Sequence, residues 1–317
     1  MAPAAGRPAA QSAHSLGVSF QDREMSLSNW FCDFCSNLQI QDGGSISNRY
    51  KTITRRLNTD FWNTTSDISH SLYVGSYGRG TSIQGSSDLD MVFELPSSLY
   101  FQYDNYTGNG QSALLQKVRN SMQKTYSTSS IEGDGQIVSV SFNDGITFEI
   151  VPVFRNKLDS YTYPNSNGGG SWKITNPRPE ISAIKNRNTI CNNNLIPLCR
   201  MMRAWKKKWN VPIRGLLIDT LAYQFIKNYD HRDKPYLYYD FMCRDFFKWM
   251  SEQSSEQTHW KAPGSGQYVY GKGLFQYKAE QCYNIAVEAI SDETATPKRE
   301  WSAKYEWRRI FGTKFPD

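Results

Sequence analysis

Asp88 and Asp90 are two carboxylates separated by one residue, and they stand where the chain enters an apolar run. In a β-strand, residues i and i+2 project from the same face, so both side chains would point from one strand edge. Two like charges held this close are unfavourable unless a cation lies between them. Mg²⁺ prefers carboxylate and phosphate oxygens, and two such ions can clamp both oxygens of an in-line phosphoryl displacement. The pair therefore predicts chemistry on nucleotides.

Two-metal chemistry of this kind usually needs a third carboxylate beside the first two. The downstream candidates are Glu132, Asp134, Asp144 and Glu149. Glu149 is favoured because it lies inside the strand pattern Thr147-Phe-Glu-Ile-Val, where a lone charge is costly. Asp144 is explained by a turn, and the two acids that flank Gly133 are expected to be solvated. We expect Asp88 and Asp90 to hold both ions, and Glu149 to bind metal and help deprotonate an attacking hydroxyl.

A Gly-Ser pair precedes the aspartates and predicts a phosphate-binding segment. Gly75 allows the backbone to approach a phosphate closely, and the Ser76 hydroxyl and the amides that follow can donate to phosphate oxygens. Arg79 is a further candidate for a phosphate contact. An isolated Asp-x-Asp is more often a solvated strand end, but the Gly-Ser turn and the strand-embedded Glu149 favour the catalytic interpretation.

The composition narrows the class of protein. The chain has 317 residues, of which 39% are hydrophobic and 14% aromatic, which supports a core and excludes a disordered chain. We find no apolar run of about 18 residues and no secretory leader, and the six cysteines lack regular spacing. These features predict reduced thiols and a cytoplasmic location. The net charge of +6 is compatible with anionic substrates but too mild to indicate a nucleic-acid surface.

The chain divides into three predicted parts, with an α+β fold in two lobes. Residues 1–22 are rich in Ala, Pro and Ser and predict a flexible segment; residues 23–180 predict a core lobe with N-terminal helices; residues 181–317 predict a helical lobe. Strands are predicted at 72–74, 89–95, 137–142 and 146–154. Helices of the second lobe are predicted at 181–191, 195–210, 214–229, 238–252 and 276–292. Residues 159–180 predict a long irregular segment, either a lid over a nucleotide or a surface loop.

These motifs resemble a known superfamily. A Gly-Ser turn, a spaced Asp-x-Asp and a later acid on a neighbouring strand are similar to nucleotidyltransferases of the DNA polymerase β type. The longer pattern resembles the bacterial cyclic-oligonucleotide synthases (CD-NTases), relatives of cyclic GMP-AMP synthase and 2′–5′ oligoadenylate synthase. The matching stretches begin at Gly75-Ser-Tyr-Gly-Arg-Gly-Thr, Ser87-Asp-Leu-Asp-Met-Val-Phe, Ser171-Trp-Lys-Ile-Thr-Asn-Pro-Arg, Leu198-Cys-Arg-Met-Met-Arg-Ala-Trp-Lys and Glu306-Trp-Arg-Arg-Ile-Phe-Gly. The resemblance runs from about residue 45 to the end of the chain.

The resemblance implies a bilobed enzyme with a polymerase β-type core and a helical lobe that closes the active-site cleft. It implies that two ribonucleoside triphosphates (ATP, GTP or others) react with each other in the presence of two Mg²⁺ ions, for which Mn²⁺ can substitute. A ribose hydroxyl of one would attack the α-phosphate of the other and release pyrophosphate, and further rounds would close a cyclic di- or trinucleotide. In the family this product is a second messenger of antiphage defence (CBASS). We expect a monomer that needs no nucleic acid, with regulatory proteins of the defence operon as partners.

The donor-phosphate contacts are predicted on the first long helix of the second lobe. Relatives place a lysine there, and Arg203 occupies that position in this chain, with Lys206 one turn later. Relatives also tend to have Ser-Tyr at the start of the next helix for phosphate binding and base stacking, where this chain has Gly215-Leu216. The base platform is therefore left open among Tyr77, Trp172 and Tyr223.

Two other functions remain as alternatives at this point. A linear polymerase, such as an oligoadenylate synthase or an RNA-tailing enzyme, would use the same carboxylates, although a tailing enzyme should carry a long basic stripe. A catalytically silent nucleotide sensor would keep the fold, although such proteins usually lose metal-binding carboxylates.

Overall fold

Eleven α-helices and nine β-strands make up the part of the chain that the computed structural model describes, residues 20–85 and 88–317. The helices are α1 (Phe20–Leu38), α2 (Gly43–Trp62), α3 (Gly75–Arg79), α4 (Ser97–Asp104), α5 (Gly110–Gln123), α6 (Pro177–Ile190), α7 (Leu195–Trp209), α8 (Gly215–Lys227), α9 (Tyr239–Ser251), α10 (Gln276–Thr294) and α11 (Glu300–Phe311). The strands are β1 (Ser71–Tyr73), β2 (Leu89–Glu94), β3 (Ser130–Asp134), β4 (Ile137–Ser141), β5 (Thr147–Arg155), β6 (Tyr161–Asn165), β7 (Ser171–Thr175), β8 (His259–Lys261) and β9 (Tyr268–Tyr270).

A seven-stranded mixed sheet forms the centre of the core lobe. Its order is β1-β2-β5-β4-β3, with β6 beside β5 and β7 beside β6. β2 and β5 run parallel, whereas the neighbouring pairs are antiparallel. Because parallel strands start at the same sheet edge, the beginnings of β2 and β5 lie side by side. This edge is where the sequence places Asp90 and Glu149.

Amphipathic helices cover one face of this sheet. The spacing of Ile46, Ile53 and Leu57 puts these side chains on one face of α2, where they are buried. They pack in one cluster with α5 residues such as Leu114 and with strand residues such as Phe148. The helix ends at Asn63, which adopts the left-handed conformation common at such ends. α2 and α5 thereby hold the sheet whose edge carries the acidic residues.

The second lobe is built from α6 to α11 around one large apolar cluster. Every helix predicted after residue 181 is present, with bounds that differ by a few residues. α1 also packs here: its Phe31 contacts Trp307, with ring centroids 5.3 Å apart, and its Phe34 contacts Phe315 at 5.2 Å. The first described helix therefore belongs, by its packing, with the last ones.

The segment 159–180 was expected to be irregular, and that expectation is wrong. β6 and β7 form an antiparallel hairpin there, in which Tyr161 pairs with Thr175 and Asn165 with Ser171. The three glycines of the segment, residues 168–170, lie between the strands, and aromatic and β-branched residues such as Tyr161, Trp172 and Ile174 occupy the strands. The hairpin extends the sheet, and its Trp172 packs on Tyr100 and donates to Asp104 at 2.9 Å.

Three further expectations meet the structure here. The flexible segment predicted over 1–22 lies mostly outside the described residues, and α1 begins at Phe20. All six cysteines are free, in keeping with reduced thiols. None of the helices in the described part of the chain combines the length and apolar content needed to cross a membrane. The lobe boundary at 180/181 stays a prediction.

Candidate active site

Asp90 and Glu149 are direct neighbours across the parallel pair of strands. Asp90 lies in register with Glu149 in the β2–β5 ladder. Both follow the first residues of their strands, so their side chains leave the sheet at its open edge. The two carboxyl groups lie within hydrogen-bonding reach of each other, so a proton held by one of them could be donated to the other. The third predicted acid, Asp88, lies two residues before Asp90 and is exposed at the rim.

The electrostatics of this pair are strained in the absence of a cation. Burial, together with the charges of Asp90 and Asp88, raises the pKa of Glu149 to about 7. Burial also raises the pKa of Asp90, although the Arg79 guanidinium opposes this rise. Like charges brought together in a partly dry site favour retention of a proton. The pair can thus exchange a proton near neutral pH, or accept a cation in its place.

Gly75 lets the predicted phosphate segment approach the acidic pair. The residue has φ +57°, and a Cβ built on it would lie 1.8 Å from the Asp90 Oδ2 atom. Only glycine fits this backbone conformation and this gap. The preceding Val74 amide donates to the Asp90 carbonyl at 2.9 Å, which fixes the segment against β2. The half-buried Ser76 consequently lies beside the acids, on the wall of the same cleft.

A cleft of about 870 Å³ separates the two lobes at this edge of the sheet. Its core-lobe wall includes Gly75, Ser76, Arg79, Asp88, Asp90 and Glu149. Its helical-lobe wall includes Arg203, Lys206, Lys207, Asn210, Gly215 and Leu216. A volume of this size suits ligands larger than a single nucleotide base. All the site residues predicted from the sequence therefore meet at one cleft.

Arg79 and Arg203 reach the cleft wall but are engaged inside the protein. Both are almost fully buried, and both pair with Asp219, a residue with no exposed surface. The Arg79 Nε donates to Asp219 Oδ2 at 2.9 Å, and Arg203 forms a two-pronged contact with both Asp219 oxygens. The prediction that these arginines bind phosphate remains open, since much of their donor capacity is already used.

Lys206 is the more available cation. It is half-buried at the cleft wall, and no carboxylate among the described residues pairs with its ammonium group. Burial, and the nearby positive charges of Arg203 and Lys272, lower its pKa. An ammonium ion surrounded in this way gains from an anion placed in the cleft. Its predicted role as a phosphate contact stays a prediction with this physical support.

The three aromatic candidates for a base platform pack elsewhere and do not line the cleft. Tyr77 packs against Tyr73, Trp172 against Tyr100, and Tyr223 lies under the Arg187 guanidinium. Within the described parts of the chain, no aromatic side chain lines the cleft. The apolar side chains on its walls are Ile40, Ile46, Ile83, Leu89, Ile146 and Leu216. None of the three aromatic candidates therefore faces a base in this arrangement.

Sequence reasoning missed Asp219, the buried carboxylate that pairs with both arginines of the cleft wall. Its signal was available, because a lone acid within Gly215-Leu-Leu-Ile-Asp-Thr-Leu-Ala is the same kind of costly buried charge that singled out Glu149. It also missed Asp42, Gln84 and Asn210, polar residues of the cleft wall that carry no comparable pattern.

The acidic corner fits a divalent cation. Burial and the neighbouring carboxylates raise the pKa of both Asp90 and Glu149, and a cation between them would remove this repulsion. Asp88 adds a third carboxylate at the rim. The space beside Asp90 is kept free by the missing side chain of Gly75. Across the described residues, no group of three His, Cys, Asp or Glu side chains is placed to hold a metal ion together, so the predicted set of three carboxylates is not assembled in this structure. The acids thus form an open pair with a rim residue.

The fold, with an acidic cleft at the sheet edge, is that of the polymerase β-type nucleotidyltransferases. The structure of the Escherichia coli MS115-1 CdnC:HORMA-deltaN complex matches with a TM-score of 0.66 at 15% identity, covering 93% of this chain and 99% of that one. The Bradyrhizobium diazoefficiens CD-NTase CdnG in complex with GTP matches with a TM-score of 0.63 at 11% identity, covering 91% and 95%. At such low identity these likenesses show the fold alone, and they confirm the α+β, polymerase β-like architecture.

The family follows from the sequence itself. Residues 25–188 match the model of the Second Messenger Oligonucleotide or Dinucleotide Synthetase domain, which is over half of the chain, and the chain belongs to this family. It is similar to a probable cyclic nucleotide synthase of Bacillus cereus (strain VD146), at 24% identity over 76% of this chain and 81% of the relative. The resemblance to the CD-NTases is confirmed, and the protein is a nucleotidyltransferase of the cyclic nucleotide synthase class.

Proposed function

We propose that the protein joins ribonucleoside triphosphates into a cyclic di- or trinucleotide, with Mg²⁺ and with release of pyrophosphate. The observation that carries the proposal is the in-register pair of Asp90 and Glu149 at the cleft edge, opposite Lys206. Acids and a cation on opposing walls are what a triphosphate and its metal require. The cleft also has room for more than one base, as a ring-forming synthase needs.

The residues divide the work of one transfer. Glu149 takes the proton of the attacking ribose hydroxyl while the hydroxyl oxygen bonds to the α-phosphorus of the second triphosphate. The bond from the α-phosphorus to the bridging oxygen breaks, and pyrophosphate leaves. Ser76 donates to a phosphate oxygen, and Lys206 offsets phosphate charge. Closing the ring repeats the step within the linear intermediate.

Asp88, Asp90 and Glu149 would hold the magnesium, with Mn²⁺ as a substitute. When bound, the ions supply positive charge to the attacking and leaving oxygens. The protein's own residues orient the substrates: Gly75 keeps the Ser76 segment against Asp90, and the two lobes enclose the substrates between them. Exclusion of water by closure would strengthen each of these electrostatic contacts.

The cellular role is the outermost part of the proposal. We infer a cytoplasmic monomer that makes an antiphage second messenger under the control of a separate protein. The CdnC relative stands in complex with HORMA-deltaN, and the CdnG relative binds GTP. These two likenesses support a protein regulator and a nucleotide substrate for this chain. Size-exclusion chromatography with light scattering tests the monomer.

Product analysis tests the reaction. The pure protein is incubated with the four ribonucleoside triphosphates and Mg²⁺, treated with phosphatase, and its products are weighed by mass spectrometry. A ring keeps one phosphorus per nucleoside after phosphatase, whereas a linear chain keeps one fewer. Rings are expected from the wild type and not from Asp90→Asn. Linear products would favour the oligoadenylate or tailing alternative, and nucleotide binding without any product would favour the silent sensor.

A further inference from the structure

We propose that Asp219 is a positioning residue of the active site, which ties the Ser76 segment of the core lobe to the helical lobe. The proposal rests on the function proposed above, and it adds a residue that never meets the substrate. Asp219 lies in α8 with no exposed surface, and its two oxygens accept from three side chains. The donors are Arg79 Nε at 2.9 Å, Thr81 Oγ1 at 2.9 Å, Arg203 Nη1 at 2.5 Å and Arg203 Nη2 at 2.9 Å.

These donors come from both sides of the cleft. Arg79 ends α3 and Thr81 follows it, and both belong to the core lobe; Arg203 lies in α7, in the helical lobe. The Thr81 amide donates to the Ser76 carbonyl at 2.9 Å, so the bridge reaches the predicted phosphate segment directly. One carboxylate thereby joins the segment that carries Ser76 to the two helices that carry Lys206 and Leu216.

The same short helix is fixed on its other side by the acidic pair. A Cβ at position 75 would lie 1.8 Å from Asp90 Oδ2, and a Cβ at position 78 would lie 2.4 Å from the Tyr73 carbonyl. α3 therefore has no room to move toward β1 and β2. Its position along the cleft is set between this tight packing and Asp219, and a shift there would displace Ser76 relative to Asp90. A misplacement of about 1 Å can cost about 100-fold in rate.

The two arginines that contact Asp219 also have a second acid nearby and pack closely against their other neighbours. Glu180 supplies a second acid, with its Oε2 3.8 Å from Arg79 Nη1, and Ser265 holds Glu180 with a hydrogen bond of 2.8 Å. Arg203 also donates to the carbonyls of Cys199 and Gly215, each at 3.2 Å. A Cβ at position 215 would lie 3.2 Å from Arg203 Nη2, so the guanidinium fits because residue 215 has no side chain. The arginines are thus held in one place by groups on every side.

The test compares Asp219→Asn with Asp292→Asn. Asp292 is also a buried acid of the helical lobe, and it pairs with Arg299 and Ser302, away from the cleft. Both variants remove one charge without changing shape. We expect Asp219→Asn to lower kcat by about 100-fold with KM changed less than about threefold, because alignment is lost while both arginines keep their charge. Asp292→Asn should keep kcat within about twofold of the wild type.

Hydrogen–deuterium exchange measures how firmly Asp219 holds the Ser76 segment, and it does so without catalytic turnover. Amides from Gly75 to Thr81 should exchange at least about tenfold faster in Asp219→Asn than in the wild type. In Asp292→Asn the exchange rate of these amides should not change. A folded Asp219→Asn protein with wild-type kcat, or with wild-type exchange in this segment, overturns the proposal. A wild-type protein that releases no pyrophosphate would instead defeat the proposed function, and exchange would still decide the role of Asp219.

A milder variant covers the case in which Asp219→Asn does not fold. Thr81→Val keeps the volume and removes one of the four contacts to Asp219. It should increase exchange in the same segment and lower kcat, each by less than Asp219→Asn would. If Thr81→Val is folded and equals the wild type in both measurements, Asp219 does not position the Ser76 segment.

Discussion

Glu149 and Asp219 are both carboxylates set within apolar segments, and they end in opposite electrostatic states. Glu149 lies beside another acid, and burial with the charges of Asp90 and Asp88 raises its pKa to about 7. Burial would also raise the pKa of Asp219, but the guanidiniums of Arg203 and Arg79 hold it below its usual value. The same signal in the sequence thus marks a carboxyl group with a raised pKa in one place and one with a lowered pKa in the other. The charged residues that the fold places next to each carboxylate, from distant parts of the chain, determine the direction of its pKa shift.

The largest expected effect is on catalysis at the acidic pair. Glu149→Gln and Asp90→Asn should each lower the rate of pyrophosphate release by at least about 1,000-fold, because one removes the proton acceptor and the other a metal ligand. Asp67→Asn is the matched control, since Asp67 is an acid that pairs with Arg55 on the surface. Wild-type rates in either site variant would remove Glu149 and Asp90 from the mechanism.

The loss of stability should be larger in Asp219→Asn than in Glu149→Gln, which is the reverse of the order expected for the loss of catalysis. Asp219→Asn leaves two buried guanidiniums without their acid, so we expect its free energy of unfolding to fall by about 3–5 kcal/mol. Glu149→Gln replaces a group that already favours its neutral form, so the metal-free variant should lose far less. Urea unfolding of the two metal-free variants measures this difference. Equal losses would mean that the two acids do not differ in the way proposed.

Lys206 provides a smaller test of the wall opposite the acids. Lys206→Gln should raise KM for the triphosphates by about tenfold, because it removes a cation that lacks a carboxylate partner among the described residues. Lys208→Gln is the matched control, because Lys208 lies on the same helix and is exposed. Steady-state kinetics at fixed Mg²⁺ gives both values. An unchanged KM in Lys206→Gln would return the phosphate contact to Arg203.

The smallest expected effect concerns pH. Because the pKa of Glu149 is raised to about 7 in the folded metal-free protein, its contribution to stability is present at low pH and is lost as pH rises through about 7. A cation must displace the proton on Glu149, so Mg²⁺ should raise the melting temperature more at pH 8 than at pH 6. Differential scanning fluorimetry measures this difference. Glu149→Gln should abolish it, and a pH-independent Mg²⁺ shift in the wild type would contradict the raised pKa of Glu149.

Short-range patterns predicted much of this molecule. The helices predicted at 195–210 and 276–292 and the strands predicted at 137–142 and 146–154 match elements that the structure contains. The hairpin of β6 and β7 was missed because its turn residues dominate the composition of a short segment. A local pattern marks Asp219 as a buried acid but cannot name its partner, because Arg79 lies 140 positions away in the sequence.

The packing of α1 bears on how the chain is made. Its Leu27, Phe31 and Phe34 complete an apolar cluster whose other members include Trp307 and Phe311, near the opposite end of the sequence. During synthesis from the N-terminus, the apolar face of α1 emerges long before the helices that cover it. The core lobe, which is complete by about residue 175, can form first. The apolar cluster of the helical lobe is completed only after Trp307 and Phe311 have been made, so translation delays the assembly of this wall of the cleft relative to the core lobe.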